Sequence, residues 1–196
     1  MASTESASTR LSLIDRIRTN DSRAWPEFVA LYSPLVAFWC RKQGIHESEI
    51  NDTVQEVFFS VSRSIDDYQA KESGGGFRAW LWTITRHKII DSVRRSERMP
   101  LAQGGSTALQ AAQQIPEVLD ERDDSERVEF TNLLYRALEQ VQNEFEQKTW
   151  QAFWRCTIDN QTVASVAAEL DISNSAVRQY RCRVLRRLRQ QLGEQG

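Results

Sequence analysis

Phe77-Arg78-Ala79-Trp80-Leu81-Trp82-Thr83-Ile84-Thr85-Arg86-His87-Lys88-Ile89-Ile90-Asp91-Ser92-Val93-Arg94-Arg95 begins aromatic and ends basic. A period of 3.6 residues puts Phe77, Trp80, Leu81 and Ile84 on one face, an ordinary core stripe, and predicts one long helix. Trp82, Ile89 and Val93 fall opposite, where a surface helix is normally polar. Toward the end of the helix Arg86, Lys88, Arg94, Arg95 and Arg98 outnumber Asp91 and Glu97. Aromatic rings beside guanidinium groups suit the stacking of unpaired bases and the holding of phosphates. Taken alone, the aromatics are accounted for more readily by a helix sandwiched between two others, with a solvated basic end.

A second signature lies near the C-terminus, from Thr162 to Arg181. Val163, Val166, Ala167 and Leu170 form the inner face of a first helix, and small Ala167 and Ala168 let a second helix cross closely. Asp171 stands where the turn needs a residue tolerant of a left-handed backbone. Ser173 is the expected N-cap of the second helix, which carries Arg178, Arg181, Arg183, Arg186, Arg187 and Arg189 with no acid between them. This is the pattern of a helix-turn-helix, whose second helix offers its N-terminal side chains to the major groove while flanking cations hold phosphates. An arginine-rich, solvated terminal helix is the competing account.

The 196 residues are 40% hydrophobic and 27% charged, enough for one larger domain or two small ones. The net charge of −2 is unlike that of a protein that binds DNA unaided through a broad basic field. Positive charge is local, and between Glu117 and Glu129 seven acids face only Arg122 and Arg127. Weak unaided DNA affinity follows, which points to a partner that delivers the chain to DNA. Cys40, Cys156 and Cys182 have no metal-ligand spacing and read as reduced thiols of a cytoplasmic protein. With His46 and His87 the only histidines, neither a metal site nor any other cofactor is expected. The Ser/Thr-rich start is no signal peptide, and no stretch is long enough to span a membrane.

Almost every periodic segment is helical, so the expected fold is all-α, two small helical domains joined by a flexible linker. Asn20 or Asp21 is placed to cap a helix through Trp25, Phe28, Val29 and Leu31; Pro34 is expected to restart another, which Gly44 ends. A third helix is predicted from about Ser48 to Ile65, with Ile50, Val54, Val57, Phe58, Val61 and Ile65 as its core stripe. On its other side Asp52, Gln55, Glu56, Phe59 and Arg63 set an apolar ring among acids, a pattern of protein-binding surfaces. A Phe59 covered by another helix of the same domain fits as well. Periodicity vanishes from Met99 to about Ser125, and helices return near 128–141 and 144–156. The expected division is a tail over 1–19, disordered or partly helical, a domain over 20–98, a linker over 99–127 and a second domain over 128–196.

Three stretches together carry a family resemblance. Asp52-Thr53-Val54-Gln55-Glu56-Val57-Phe58, Phe77 through Ile84, and Asp91-Ser92-Val93-Arg94-Arg95 resemble region two of bacterial sigma-70-family factors. The C-terminal helix-turn-helix resembles region four. The short length resembles the extracytoplasmic-function (group 4) subclass, while Asp171 replaces the commoner turn glycine and the linker is somewhat long. The resemblance implies a non-enzymatic factor that binds core RNA polymerase at its clamp helices and flap, recognises promoter DNA and helps to melt it, with an anti-sigma factor as a further partner. It implies that Asp52, Gln55, Glu56 and Phe59 meet the polymerase. The −10 element and its melting fall to the loop before Phe77 and to Phe77, Trp82, Arg86, Lys88, Asp91, Arg94 and Arg95. The −35 element falls to Ser173, Asn174, Ser175, Arg178, Gln179, Arg181, Arg183 and Arg186.

Two elements about 25 base pairs apart lie roughly 85 Å apart along B-DNA. A flexible linker of about 27 residues averages only ~30 Å and reaches at most ~90 Å. It must therefore be held drawn out, as a polymerase surface would hold it. A stand-alone helix-turn-helix regulator explains the C-terminal half but not the aromatic–basic helix, and predicts dimers on palindromic sites. For an enzyme there is no paired-carboxylate, histidine-cluster or nucleophile–base pattern, and Gly74-Gly75-Gly76 lacks the Lys-Ser/Thr of a phosphate loop.

Overall fold

The computed structural model describes residues 11–69, 76–97, 114–120 and 122–194. All regular structure among them is helical. Arg98, Gly74 and Gly75, the first ten residues and the stretch 99–113 lie outside the described residues. Two compact units are present, Trp25–Arg136 and Met1–Ala24 with Ala137–Gly196. Their limits fall inside helices, not at the ends of the expected linker.

The first unit begins with α2 (Ala24–Lys42). It is one helix, whereas a break at Pro34 is the sequence expectation. Pro34 removes an N–H and costs ~3 kcal/mol in a helix interior. On both sides of it Phe28, Leu31, Tyr32, Leu35, Val36, Trp39 and Cys40 are buried at helical spacing. At ~1.5–3 kcal/mol for each large apolar side chain, that stripe outweighs the proline. The helix stops at Gly44, whose φ of +80° is reached by turning left-handed while the Ile45 N–H bonds the Cys40 carbonyl.

Helix α3 (Glu47–Ser64) is capped by His46, whose ring nitrogen accepts the Ser48 N–H. It buries Ile50, Thr53, Val57, Phe58 and Val61, and leaves Val54 half-buried. A 3₁₀ turn, Ile65–Asp67, follows, and α4 (Phe77–Glu97) packs along α3. Phe77 is fully buried and has four ring neighbours at 5.2–5.6 Å: Phe28, Tyr32, Tyr68 and Trp80. This aromatic centre ties α2, the 3₁₀ end and α4 together. Helix α5 (Asp124–Gln142) starts within this unit.

In the second unit α1 (Leu13–Arg18) is closed by a capping box between Ser12 and Asp15, and buries Leu13 and Ile14. Asp21 accepts the Arg23 N–H and the Arg16 guanidinium, which holds its carboxyl below the ordinary carboxylate range. Helices α6 (Gln147–Thr157), α7 (Val163–Leu170) and α8 (Asn174–Gln191) share a core of Ala152, Val166, Ala167 and Val177, and α1 packs on α8. Among the described residues no helix is long and apolar enough to cross a membrane.

Candidate functional site

The outer face of α3 carries Asp52, Gln55 and Phe59 in the open, and Phe59 is 64% exposed. The Arg63 guanidinium lies 5.7 Å over its ring. A groove beside it is lined by Trp25 and Val29 of α2 and by Val54, Gln55, Phe58 and Phe59 of α3. The half-burial of Val54 is thus the wall of this groove. Glu56 departs from the picture of a free acidic rim. It takes a two-pronged bond from Arg95 of α4, at 2.7 and 3.0 Å, and Arg95 holds its carboxyl below the ordinary range. One residue expected to meet a protein and one expected to meet DNA are therefore ion-paired to each other.

On α4 the buried face keeps only Phe77 and Leu81 of the stripe the 3.6 period suggested. Leu81, Trp82, Thr85, Ile89 and Ser92 are buried, while Trp80 and Ile84 are only half-buried. Trp82 is 2% exposed and stands edge-on to Trp39 with centroids 5.2 Å apart. Its indole N–H donates to the Pro116 carbonyl at 3.2 Å. The expectation of a free Trp82 is corrected, and so is that of Phe77 as a DNA contact. Both are enclosed by aromatic neighbours. The half-buried Arg86 donates to the Ile115 carbonyl at 3.0 Å, Lys88 is half-buried, and Asp91, Arg94 and Arg95 are exposed.

Below that contact lies a carboxylate that sequence reasoning passed over. Glu126 is 3% exposed and receives the Trp39 indole N–H at 3.1 Å, Lys42 at 2.9 Å and Arg78 at 2.8 Å. Lys42 also pairs with Asp123, and the Arg78 guanidinium lies 5.1 Å over Phe130. A buried carboxylate is tolerated only when paired and hydrogen-bonded on its remaining lone pairs, and two cations with an indole meet that demand here. In sequence Glu126 is one acid in a run of seven, which reads as solvated charge. The hint in the sequence is that no carboxylate stands three or four residues from Arg78 along its helix.

In the helix-turn-helix Thr162 accepts the Ser165 N–H, Asp171 adopts φ +50°, ψ +58°, and Ser173 accepts the Ala176 N–H at 3.1 Å. Left-handed backbone at a non-glycine is uncommon, and aspartate is among the side chains that tolerate it. The turn and caps leave Ser173, Asn174, Ser175, Arg178, Gln179, Arg181, Arg183 and Arg186 exposed, with Val177 and Val184 facing inward. Arg183 also lies 5.9 Å over the Phe145 ring. Arg187 is different: it is 7% exposed and grips Glu144 through two bonds of 2.8 and 2.9 Å. It braces α8 and is unavailable to phosphates.

Residues 28–99 match sigma-70 region 2. Over 76 residues, 39% of this chain and 38% of the other, the sequence is 32% identical to the RNA polymerase sigma factor CnrH of Cupriavidus metallidurans. It is 30% identical over 115 residues to the ECF RNA polymerase sigma factor ShbA of Streptomyces griseus, covering 56% of each. Residues 28–99 are thus a sigma-70 region 2 segment, and the relatives that this chain resembles are RNA polymerase sigma factors. A third relative, the RNA polymerase sigma factor NccH of Alcaligenes xylosoxydans, is 27% identical over 63% of this chain and 64% of its own length. The matches thus span under two thirds of the length of each of these three sigma factors.

The geometry offers three surfaces: the Phe59 groove, the basic end of α4 and the start of α8. Among the described residues no group of three His, Cys, Asp or Glu side chains could hold a metal ion. All three cysteines are free thiols. Burial pushes that of Cys40 up to about 12.

Proposed function

We propose that this chain is a sigma factor, which binds core RNA polymerase in the cytoplasm and directs it to promoters with −10 and −35 elements. The observation that carries this reading is the presence in one chain of a sigma-70 region-two bundle and a helix-turn-helix whose recognition side chains are exposed. In this reading the Phe59 groove, with Asp52 and Gln55 at its edge, receives the clamp helices of the polymerase. A solvent-exposed aromatic beside an apolar groove is the anchor that protein interfaces favour. Arg86, Lys88, Arg94 and Arg95 hold the upstream part of the melted element. Asn174, Ser175, Arg178 and Gln179 read base edges of the −35 element.

The domain limits that go with this function are 20–98 for the polymerase-binding and melting part and 128–196 for the −35 part. An anti-sigma protein would act by covering one of these surfaces. The test is reconstitution. Purified chain and core polymerase are co-eluted by size exclusion, and the product is assayed for run-off transcription from genomic fragments. The reading expects a stoichiometric complex that initiates at a defined set of sites. A chain that neither associates with core nor changes its start sites is not a sigma factor.

A further inference from the structure

The segment before α5, together with the first turn of that helix, satisfies a row of donors that belongs to the bundle. Trp39, Lys42, Arg78, Trp82 and Arg86 offer three cations and two indole N–H groups. The oxygens that meet them come from the carbonyls of Ile115 and Pro116 and the carboxylates of Asp123 and Glu126. We propose that these four residues are the anchors of a releasable strap, which closes the α2–α4 face in the free chain and yields it to a single DNA strand. The proposal rests on the sigma-factor reading above.

Three observations support release over a permanent brace. The first is chemical: carbonyl and carboxylate oxygens are what the bases and phosphates of an unpaired strand would present to the same donors. The second is the thinness of the hold. Between Gln114 and Asp120 only Ile115 is buried, at 5% exposed, while Val118 is 76% exposed. A segment that buries one large apolar side chain belongs to the low-stability end of a fold. The third is reach. A chain that must connect two promoter elements roughly 85 Å apart cannot remain pinned at Ile115, Asp123 and Glu126. Closed, the strap occupies Arg86 with a carbonyl and Lys42 and Arg78 with acid, so the free chain holds DNA poorly.

The test uses the full chain and a short labelled single-stranded oligodeoxynucleotide, with affinity read by fluorescence anisotropy. A strap closed about nine-tenths of the time lowers apparent affinity about tenfold. Ile115→Asp removes the apolar anchor, and should bind about tenfold tighter than wild type. The added acid by itself repels DNA, so a gain reports release. Should Ile115→Asp fail to fold, Asp123→Asn serves, compared with Asp124→Asn. The two remove equal charge, but Asp124 pairs within its own helix turn, with Arg127. Asp123→Asn should then exceed Asp124→Asn about twofold, the scale of one partly exposed ion pair. Affinity that does not rise in the folded strap variants, including no binding by any of them, overturns the strap. Core-polymerase association of the wild type is scored in parallel. Core binding without a gain sinks the strap alone, whereas absent core binding sinks the sigma-factor reading.

Discussion

Glu56 of α3 and Arg95 of α4 are locked by two parallel hydrogen bonds across the helix pair, although one lies toward the protein-binding groove and the other at the basic end of α4. The pair is partly exposed, so solvent screens it, and its coupling should be ~0.2–1 kcal/mol in a double-mutant cycle of Glu56→Gln and Arg95→Gln. Glu56 is held below its ordinary pKa, chiefly by the hydrogen bond from Arg95. Its contribution is therefore present above the unfolded carboxylate value, near ~4.3, and disappears as pH falls through the folded value. Urea denaturation at pH 7 and at pH 3 should show a smaller coupling at the second. Equal coupling at both would refute the ion pair.

That pair also redirects the test of the polymerase-binding surface. Glu56→Arg would set two cations side by side and disturb the α3–α4 contact, confusing folding with docking. Phe59→Ala is cleaner, because the ring is 64% exposed. We expect stability to change by less than ~0.5 kcal/mol, as at ordinary surface positions, while binding to core polymerase falls by ~2 kcal/mol or more. Thermal melting and a core-binding titration on the same preparation separate the two. Normal core binding by Phe59→Ala removes the groove from the interface.

Trp82 and Trp80 exchange the parts that the period of the helix suggests. Trp82 is enclosed, so Trp82→Ala should cost ~3–5 kcal/mol of stability by cavity formation. Trp80 is half-buried against Tyr68 and Phe77, and its replacement by Ala should cost clearly less. Equilibrium urea denaturation ranks them. A larger loss at Trp80 would mean that the other stripe is the core.

The reason the sequence misleads at α4 is specific. Its apolar residues occupy both sides, so Phe77, Leu81 and Ile84 make as good a stripe as Leu81, Trp82 and Ile89. The choice is made by Pro116, 34 residues away from Trp82, and by Trp39 on another helix. Glu126 was hidden for the same reason, since Arg78 and Trp39 lie 48 and 87 residues from it. The helix-turn-helix was legible because its determinants are local: Ser173 caps a donor three residues on, and Asp171 needs only its own backbone freedom. The single helix through Pro34 lay between these cases, with a local breaker overruled by a stripe visible in the same sequence. Phe59 was legible as apolar among polar neighbours, but not the bond that takes Glu56 away from it.

The three thiols should respond very differently to alkylation. Cys182 is exposed on α8, Cys156 is half-buried, and Cys40 is buried in α2. Only a thiolate reacts, and burial raises the Cys40 pKa to about 12, so almost none is present at pH 8. Iodoacetamide followed by peptide mass analysis should label Cys182 first and Cys40 only in denaturant. Rapid native labelling of Cys40 would show that α2 opens far more readily than its buried stripe allows.

The arginines of α8 should separate into three behaviours under one substitution. Arg178 lies in the exposed first turns after the Ser173 cap, where a recognition helix reaches base edges. Arg178→Ala should relax preference at one or two positions of the −35 element, with ~1–3 kcal/mol of discrimination lost there. Arg186 is exposed farther along, so Arg186→Ala should weaken binding alike on all sequences and lower the salt slope by about 1. Arg187 is buried against the partly exposed Glu144, and Arg187→Ala removes two charge-assisted hydrogen bonds; a loss of ~1–3 kcal/mol in stability is expected. Holoenzyme binding to a panel of promoter variants at two salt concentrations reads the first two, and thermal melting reads the third. If Arg178→Ala and Arg186→Ala give the same sequence-independent loss, Arg178 is a phosphate contact and base reading passes to Asn174, Ser175 or Gln179. If Arg187→Ala melts like wild type while DNA binding falls, Arg187 swings out to the backbone, and its bond to Glu144 is not what holds α8 in place.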